Sequence, residues 1–468
     1  MRKFDAVVIG GGVLGCFAAR NLCRWRLRVA LVEAKADVCT EITRANAAIV
    51  YSGCDHKPGS LKAAMTVRAN ERFGELCDQL EVPFRRCGSL MVCYGTEGME
   101  TLRKKLRQGR ENGVRGLKLM GREETLEAEP MLSNGITGAL YAPSTGVVNP
   151  WQLGIAAYEN ALDNGCEAVL NAPVRSISRA EGGYLLEMDG FELWCRAVVN
   201  CAGMQADRVR EMLFEPSVRI EADGADGWIL DENAPAPQRV IFQETEARGK
   251  GITATPTTDG NLMLISAARP LGHAPFGTDR EGLKELRAAA GELFPGLDQA
   301  SGIRSFGAVR PNPRTVVLRD GKYVWDGKSI GSFVIEHPEP GFFGLIGVKT
   351  PGLTCADELG RYLAEGVART LEARENDGFR TNRKAIQRVH GLDTDARAAL
   401  VAKDRSYGDV ICRCGDITRG EIIEAVRRGA VDFDGVKRRV GVGLGRCQGS
   451  RCRLAVEKLL EGYRNGAL

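Results

Sequence analysis

Four cysteines near the end of the chain are spaced like a metal-ligating set: Cys412 and Cys414 one residue apart, then, after thirty-two residues, Cys447 and Cys452 around Gln-Gly-Ser-Arg. Thiolates are soft donors that suit iron or zinc, and the spacing alone leaves both open. The total of fifteen cysteines is odd, which argues against a complete disulfide framework. Eleven of them are scattered over the first 355 residues and read as small buried apolar side chains. At the other end, the apolar run Asp5–Ile9 leads into Gly10-Gly-Gly12-Val-Leu-Gly15, after which the pattern turns helical. Gly10 permits a tight turn, Gly12 lets a pyrophosphate approach the backbone, and Gly15 lets the helix lie close to the strand. A second apolar run, Val29–Val32, ends at Glu33, where a carboxylate accepts the two hydroxyls of an adenosine ribose. This order predicts a dinucleotide site and disfavours a 2′-phosphate. FAD and NAD share that half of the molecule, so the motif does not choose between them.

These residues need a strand–turn–helix–strand unit at one end and a cysteine-bearing unit at the other. The expected fold class is α/β, with a Rossmann-like domain made discontinuously of residues 1–80, 146–214 and 331–371. Residues 81–145 and 215–330 read as a mixed-sheet substrate domain, with hairpin-like breaks at 244–251 and 256–261. A helix is predicted over 353–367, beginning near Thr354. Residues 372–408 are charged and weakly periodic and read as a connector. Residues 409–468 read as a small helical unit in which Thr418-Arg-Gly-Glu421 is a capping box and Gly429 closes the helix. Gly is abundant, at 57 of 468 residues, as tight strand-to-helix turns require. The last sixty residues hold twelve Lys/Arg against eight Asp/Glu, and the remainder is neutral, so the formal charge of +4 lies wholly on the cysteine unit. Aromatic interleaving is sparse there, with Phe433 and Tyr463 alone, which argues against nucleic acid. An anionic metal cluster offset by nearby Arg and Lys explains the excess better. No run of eighteen apolar residues and no signal-peptide pattern occur, so the expectation is a cytoplasmic protein without a transmembrane segment.

Three segments carry a resemblance. Thr43-Arg44-Ala45-Asn46 through Gly53, Ala197 through Ala202-Gly203, and Gly347-Val-Lys-Thr350-Pro-Gly352-Leu353-Thr354 are similar, in this order, to the flavin-contacting segments of the D-amino-acid oxidase superfamily. From residue 4 to about 370 the chain resembles anaerobic-type glycerol-3-phosphate dehydrogenases and L-2-hydroxyglutarate oxidases. The resemblance implies noncovalent FAD. Val436-Lys-Arg-Arg and Gly445-Arg-Cys-Gln-Gly-Ser-Arg-Cys452 resemble the bacterioferritin-associated ferredoxin type of [2Fe–2S] domain, which implies that Cys412, Cys414, Cys447 and Cys452 ligate two irons. Four thiolates on a structural zinc ion are the physical alternative.

A flavin takes a hydride and releases electrons singly, whereas a cluster takes one at a time, so this pairing favours a dehydrogenase over an oxidase. Arg310 matches a family arginine on the substrate side of the flavin, where its fork suits a carboxylate or phosphate. Tyr51 stands where relatives commonly have His, and Ser332 where they have Asp. These departures leave a hydroxy acid, an amino or imino acid, and a glycerol 3-phosphate-like compound all open as the small substrate. His56 is a candidate titrating base and Tyr51 a candidate for orienting substrate; a solvated turn and strand-end packing are their plainer readings. The resemblance further implies additional flavin or iron–sulfur subunits as electron acceptors, and the charge of Arg438, Arg439 and Arg451 reads as a basic face that helps dock such a partner. An electron-transfer or assembly subunit with a blunted substrate site is the alternative to a catalytic one.

Overall fold

The computed structural model describes all residues except 245–250, 272–275 and 467–468. The chain divides into two compact units, Met1–Thr381 and Asn382–Leu468.

In the first unit, the runs Ala6–Ile9 and Val29–Val32 are buried at every position and show no alternation, as expected of parallel strands covered on both faces. They form the centre of an eight-stranded sheet. Its parallel core runs Glu167–Val169, Val29–Val32, Arg2–Ile9, Phe191–Asn200 and Phe342–Ile346. Antiparallel strands Ser176–Ala180, Gly183–Met188 and Val334–Glu339 complete it. Helices Val13–Leu22, Pro150–Asp163 and Ala356–Leu371 share one apolar core with this sheet. Fully buried Arg20 joins all three: its Nε donates to Asn160 Oδ1 at 2.9 Å, and its Nη1 lies 3.4 Å from Asp357 Oδ1.

The second sheet has ten strands, antiparallel except where Ser89–Cys93 runs parallel to Val240–Gln243. Its long strands Val218–Leu230 and Gly302–Arg319 pair along almost their whole length, and Arg310 sits opposite Asp223. The 256–261 break is the turn between strands Thr253–Pro256 and Leu262–Ile265, closed by Thr257 N donating to Asn261 O at 2.8 Å. The 244–251 break falls almost entirely on residues outside those described.

The helix expected over 353–367 instead spans Ala356–Leu371. Residues 349–355 form tight turns first, with Gly352 N bonded to Lys349 O and Cys355 N to Pro351 O. Apolar periodicity cannot separate such turns from a first helical turn. In the second unit, a short hairpin, Val410–Cys412 with Ile417–Thr418, precedes helices Arg419–Arg427, Phe433–Val440 and Arg453–Arg464, which pack around Ile422, Val436, Val440, Val456 and Leu460. The capping box is formed: the Thr418 hydroxyl accepts from Glu421 N, and the Glu421 carboxylate accepts from Thr418 N at 2.9 Å. Helix Thr394–Lys403 lies within the stretch read as a connector.

A tight packing constraint beside the first sheet is Gly15, where an added Cβ would stand 1.8 Å from Gly10 O. Gly15→Ala must therefore push the helix off its strand. We expect a loss of about 3 kcal/mol in urea unfolding, at the upper end for overpacking, or failure to fold.

Candidate active site

The strand Arg2–Ile9 delivers the chain to Gly10, whose φ of +104° is reached at little cost only without a Cβ. The turn then opens helix Val13–Leu22, whose N-terminus has no side-chain cap. Val13 N is satisfied by Thr43 Oγ1 at 3.0 Å. Glu33 accepts from Gly11 N at 2.6 Å and from Lys35 N at 2.8 Å, so its carboxylate is fixed at the strand end. Burial raises its pKa in spite of these two bonds. A cavity of about 570 Å³ opens beside these groups, lined among others by Gly10, Gly12, Glu33, Thr43, Asn46, Ala202, Gly203, Thr350, Gly352 and Leu353. A Cβ built on Gly12 would meet nothing but Thr43 Oγ1, at 3.5 Å, so a side chain there would occupy cavity space and not protein. A helix N-terminus, a bare glycine facing the cavity and a terminal carboxylate fit the adenosine diphosphate half of FAD.

Other residues from the same segments do not line this cavity. Gly15 serves helix–strand packing, and Gly347, with φ +63°, has Pro313 2.6 Å from where its Cβ would be. Arg44 lies over the Phe276 ring at 5.7 Å. Thr354 is buried and takes the amide of Tyr51 on its hydroxyl at 3.0 Å, so it holds the strand end that carries Tyr51.

A second cavity of about 390 Å³ adjoins the first, and Asn46, Tyr51, Val309, Arg310 and Thr350 line both. Ala45, Ser52, Asp55, Thr145 and Phe242 line the second cavity alone. Tyr51 stacks on Phe242 at 5.8 Å between centroids. Burial pushes its phenol up to about 12, against the pull of the Arg310 cation, so the hydroxyl is a proton donor throughout the physiological range. His56 lines neither cavity. Its backbone carbonyl accepts from Asn112 Nδ2 at 2.8 Å, and its Nδ1 is 3.9 Å from Asp55 Oδ1. Burial lowers its pKa, with Asp55 opposing, which favours the neutral ring. Sequence reasoning passed over Asp55 and over Lys349, which lines the first cavity and donates to Asn312 Oδ1 and Ser329 Oγ. As the one charged residue of the Gly347–Thr354 segment, Lys349 was the available signal there.

In the C-terminal unit the four cysteines draw together from the hairpin and from the glycine-rich loop before helix Arg453–Arg464. Cys414 Sγ is 3.7 Å from Cys447 Sγ. Burial pushes the Cys452 thiol up to about 12, and the neighbouring Cys412 adds to the rise. At Cys447 burial is outweighed by the backbone N–H groups of Arg451 and Gly449, which hold the thiol below its ordinary range. Among the described residues no three His, Cys, Asp or Glu side chains surround one point fit for a single ion. The neighbouring thiols fit a [2Fe–2S] core, which spreads its four thiolates over two irons. The basic face expected around Arg438, Arg439 and Arg451 is corrected in part. Arg438 and Arg439 are each 6% exposed, because helix Phe433–Val440 is buried nearly all round, and Arg439 Nη1 turns back to Gly435 O. Arg451 is exposed.

Comparison with known proteins agrees with both halves. The family model for FAD dependent oxidoreductases matches residues 5–366, and that for the BFD-like [2Fe-2S] binding domain matches residues 410–462. A glycerol 3-phosphate dehydrogenase of Caloramator mitchellensis is 37% identical over 466 residues, covering 98% of this chain and 94% of that protein. The mitochondrial L-2-hydroxyglutarate dehydrogenase of Pongo abelii is 28% identical, covering 64% of this chain and 76% of its own length. Among solved structures, the L-alpha-glycerophosphate oxidase of Mycoplasma pneumoniae with FAD bound superposes with a TM-score of 0.71 at 21% identity, over 82% of this chain and 99% of that one. The strand–glycine–helix cradle, the four gathered thiols and these matches together make the chain a member of the FAD dependent oxidoreductase family, an enzyme that uses FAD and a C-terminal [2Fe–2S] cluster.

Proposed function

We propose that the protein is a dehydrogenase that oxidises a small anionic substrate in the second cavity and passes the electrons through its [2Fe–2S] cluster to a partner. The observation that supports this most is the wall shared by the two cavities, where Tyr51, Arg310 and Thr350 face both. Bound FAD supplies a hydride acceptor that can give up its electrons one at a time. Arg310 holds the carboxylate or phosphate of the substrate, its planar fork fixing orientation as well as charge. The Tyr51 phenol, kept protonated, donates a hydrogen bond beside it. Asp55, a carboxylate lining the second cavity, is placed to take the substrate's proton, with the His56 ring behind it. Glycerol 3-phosphate, a 2-hydroxy acid and an amino or imino acid all have the required anionic group. An open cavity furnished with Arg310 supports a working substrate site over a blunted one. Among the described residues no helix is long and apolar enough to cross a membrane.

Anaerobic titration of the holoprotein with glycerol 3-phosphate, L-2-hydroxyglutarate and a set of amino acids tests the reading directly. One class should bleach the flavin absorbance, and a flavin unmoved by all of them would remove the catalytic assignment. Gly12→Val should fold but lose FAD, read as flavin per chain after gel filtration, since the new side chain fills the pyrophosphate space. Arg310→Ala should raise KM for the bleaching substrate about 10- to 100-fold, the equivalent of roughly 1.5–3 kcal/mol for a charged hydrogen bond, with Arg310→Lys in between. Because Tyr51 deprotonates only near 12, the alkaline limb of the kcat/KM profile should show no phenol ionisation below about pH 10. Cys447→Ser should lose the cluster's visible spectrum, keep substrate bleaching of the flavin, and fail in steady turnover with a one-electron acceptor.

A further inference from the structure

The floor of the second cavity is a face of the ten-stranded sheet. Ile265 pairs with Thr253, Thr253 with Phe242, Phe242 with Met91 and Met91 with Leu140, so these five residues form one row across five adjacent strands, and all five line the cavity. Neighbouring strands lie about 4.8 Å apart, so the row spans roughly 19 Å. Phe242, at its middle, stacks on the Tyr51 ring. Met91 and Leu140 continue the row away from Arg310, because their strands are the fifth and sixth in sheet order from the strand that carries it.

The charged residues that line this cavity, among those described, are Arg310 and Asp55, one of each sign. Other charges stand nearby but outside it. Lys349 lines the first cavity only, where its ammonium already donates to Asn312 Oδ1 and Ser329 Oγ. Lys62 lines neither cavity, and its Nζ lies 5.7 Å from the centre of the Phe333 ring. Asp223, opposite Arg310 in the ladder, also lines neither and accepts from Asn312 Nδ2 at 3.2 Å. A second anionic group on a ligand held at Arg310 would therefore come to rest over apolar side chains with no described cation to receive it, which is costly. Several uncharged polar groups of the wall are already engaged. Ser89 Oγ and Thr145 Oγ1 bond each other at 2.8 Å, Ser266 Oγ accepts from Asp226 N at 2.9 Å and donates to Ala267 O at 3.1 Å, and Asn46 donates to Thr43 O and accepts from Ala48 N. What the floor offers a ligand beyond Arg310 is thus mainly apolar surface.

We propose that the substrate is a monocarboxylic acid oxidised at its 2-carbon, with an apolar side chain that lies along this floor, and that Met91 and Leu140 select it against glycerol 3-phosphate and against dicarboxylic acids. The inference rests on the reading of the second cavity as the substrate site, and it narrows that reading from any small anion to one class. Arg310 takes the single carboxylate, and the side chain runs over Phe242 toward Met91. Each methylene removed from water there adds about fourfold to affinity, and the flexible Met91 adapts to chains of different shape. The 2-hydroxy and 2-amino forms share this chemistry. In both, two electrons and two protons leave the 2-carbon and its oxygen or nitrogen, giving a 2-oxo or a 2-imino acid, and the electron acceptor is the one already assigned above.

Binding of unreactive carboxylates to the full-length holoprotein, followed by titration calorimetry, tests the floor without turnover. Affinity should rise about fourfold per methylene from propanoate to hexanoate. Glutarate, which is pentanoate with a second carboxylate in place of its methyl group, should bind about tenfold or more weakly than pentanoate, and inorganic phosphate more weakly still. Met91→Lys, which sets a cation on the floor, should reverse that order, with glutarate gaining about tenfold and pentanoate losing. Met91→Ala keeps the floor uncharged and should weaken hexanoate about fourfold or more while leaving propanoate unchanged, so it decides the matter where the lysine variant fails to fold. Anaerobic bleaching of the flavin then identifies the form oxidised, by 2-hydroxyhexanoate or by norleucine, and either should outpace L-2-hydroxyglutarate and glycerol 3-phosphate. Affinity that ignores chain length, tighter binding of glutarate or phosphate than of pentanoate, or faster bleaching by 2-hydroxyglutarate or glycerol 3-phosphate would overturn the proposal and leave the dehydrogenase reading standing. A flavin unmoved by every compound, with the chain-length dependence intact, would instead remove the catalytic reading and the substrate assignment that rests on it.

Discussion

The contact between Gly15 and Gly10 is the constraint on which the nucleotide half of this protein rests. An added Cβ at Gly15 would lie 1.8 Å from the Gly10 carbonyl oxygen, so the first helix can start where it does only because that atom is missing. That start brings the helix N-terminus to the cavity and puts Gly12 on its wall. Glu33, one strand away, is aimed by the same turn because Gly11 N is one of its two backbone donors. A phosphate site, a ribose acceptor and the strand–helix spacing are thus one arrangement seen from three sides.

Polar groups hold together the distant segments around that unit. Arg20, fully buried, bonds Asn160 on one helix, faces Asp357 on another and donates to Thr381 O where the first unit ends. Burial lowers the pKa of Arg20, while at Asp357 the guanidinium groups of Arg361 and Arg20 outweigh burial and keep the carboxylate charged. Removing one member of such a group costs more than the group contributes, because the partners stay buried without compensation. Its value is geometric. It fixes helix Ala356–Leu371, and so the preceding turns that place Thr350 and Leu353 on the cavity wall and Thr354 under Tyr51.

The C-terminal unit solves the opposite electrostatic problem. Two irons and two sulfides held by four thiolates leave net negative charge, and the sequence answers with an excess of cations confined to this unit. The structure divides these cations into two groups. Lys437, Arg438 and Arg439 are buried on helix Phe433–Val440, whereas Arg413, Arg446 and Arg451 lie outside, next to the ligands.

Sequence alone determined the features whose physics is local. The spacing of Gly10, Gly12 and Gly15, the carboxylate at the end of the next strand, the capping box at Thr418 and the two cysteine pairs each depend on backbone geometry over a few residues, so they are legible without a fold. The choice of FAD over NAD and of a [2Fe–2S] cluster over zinc came from the resemblance of ordered segments to known families, since glycine and cysteine spacing left both pairs open. Tertiary structure alone decided which residues meet. Tyr51 just past the short strand Ile49–Val50, Arg310 from the second sheet and Thr350 from a turn share one wall, while His56, five residues from Tyr51, lines neither cavity. It likewise turned Arg438 and Arg439 inward and left Arg451 outside, although all three looked alike in the sequence. The reason is that a side chain's direction follows from the path and packing of its whole element, which no short stretch of sequence specifies.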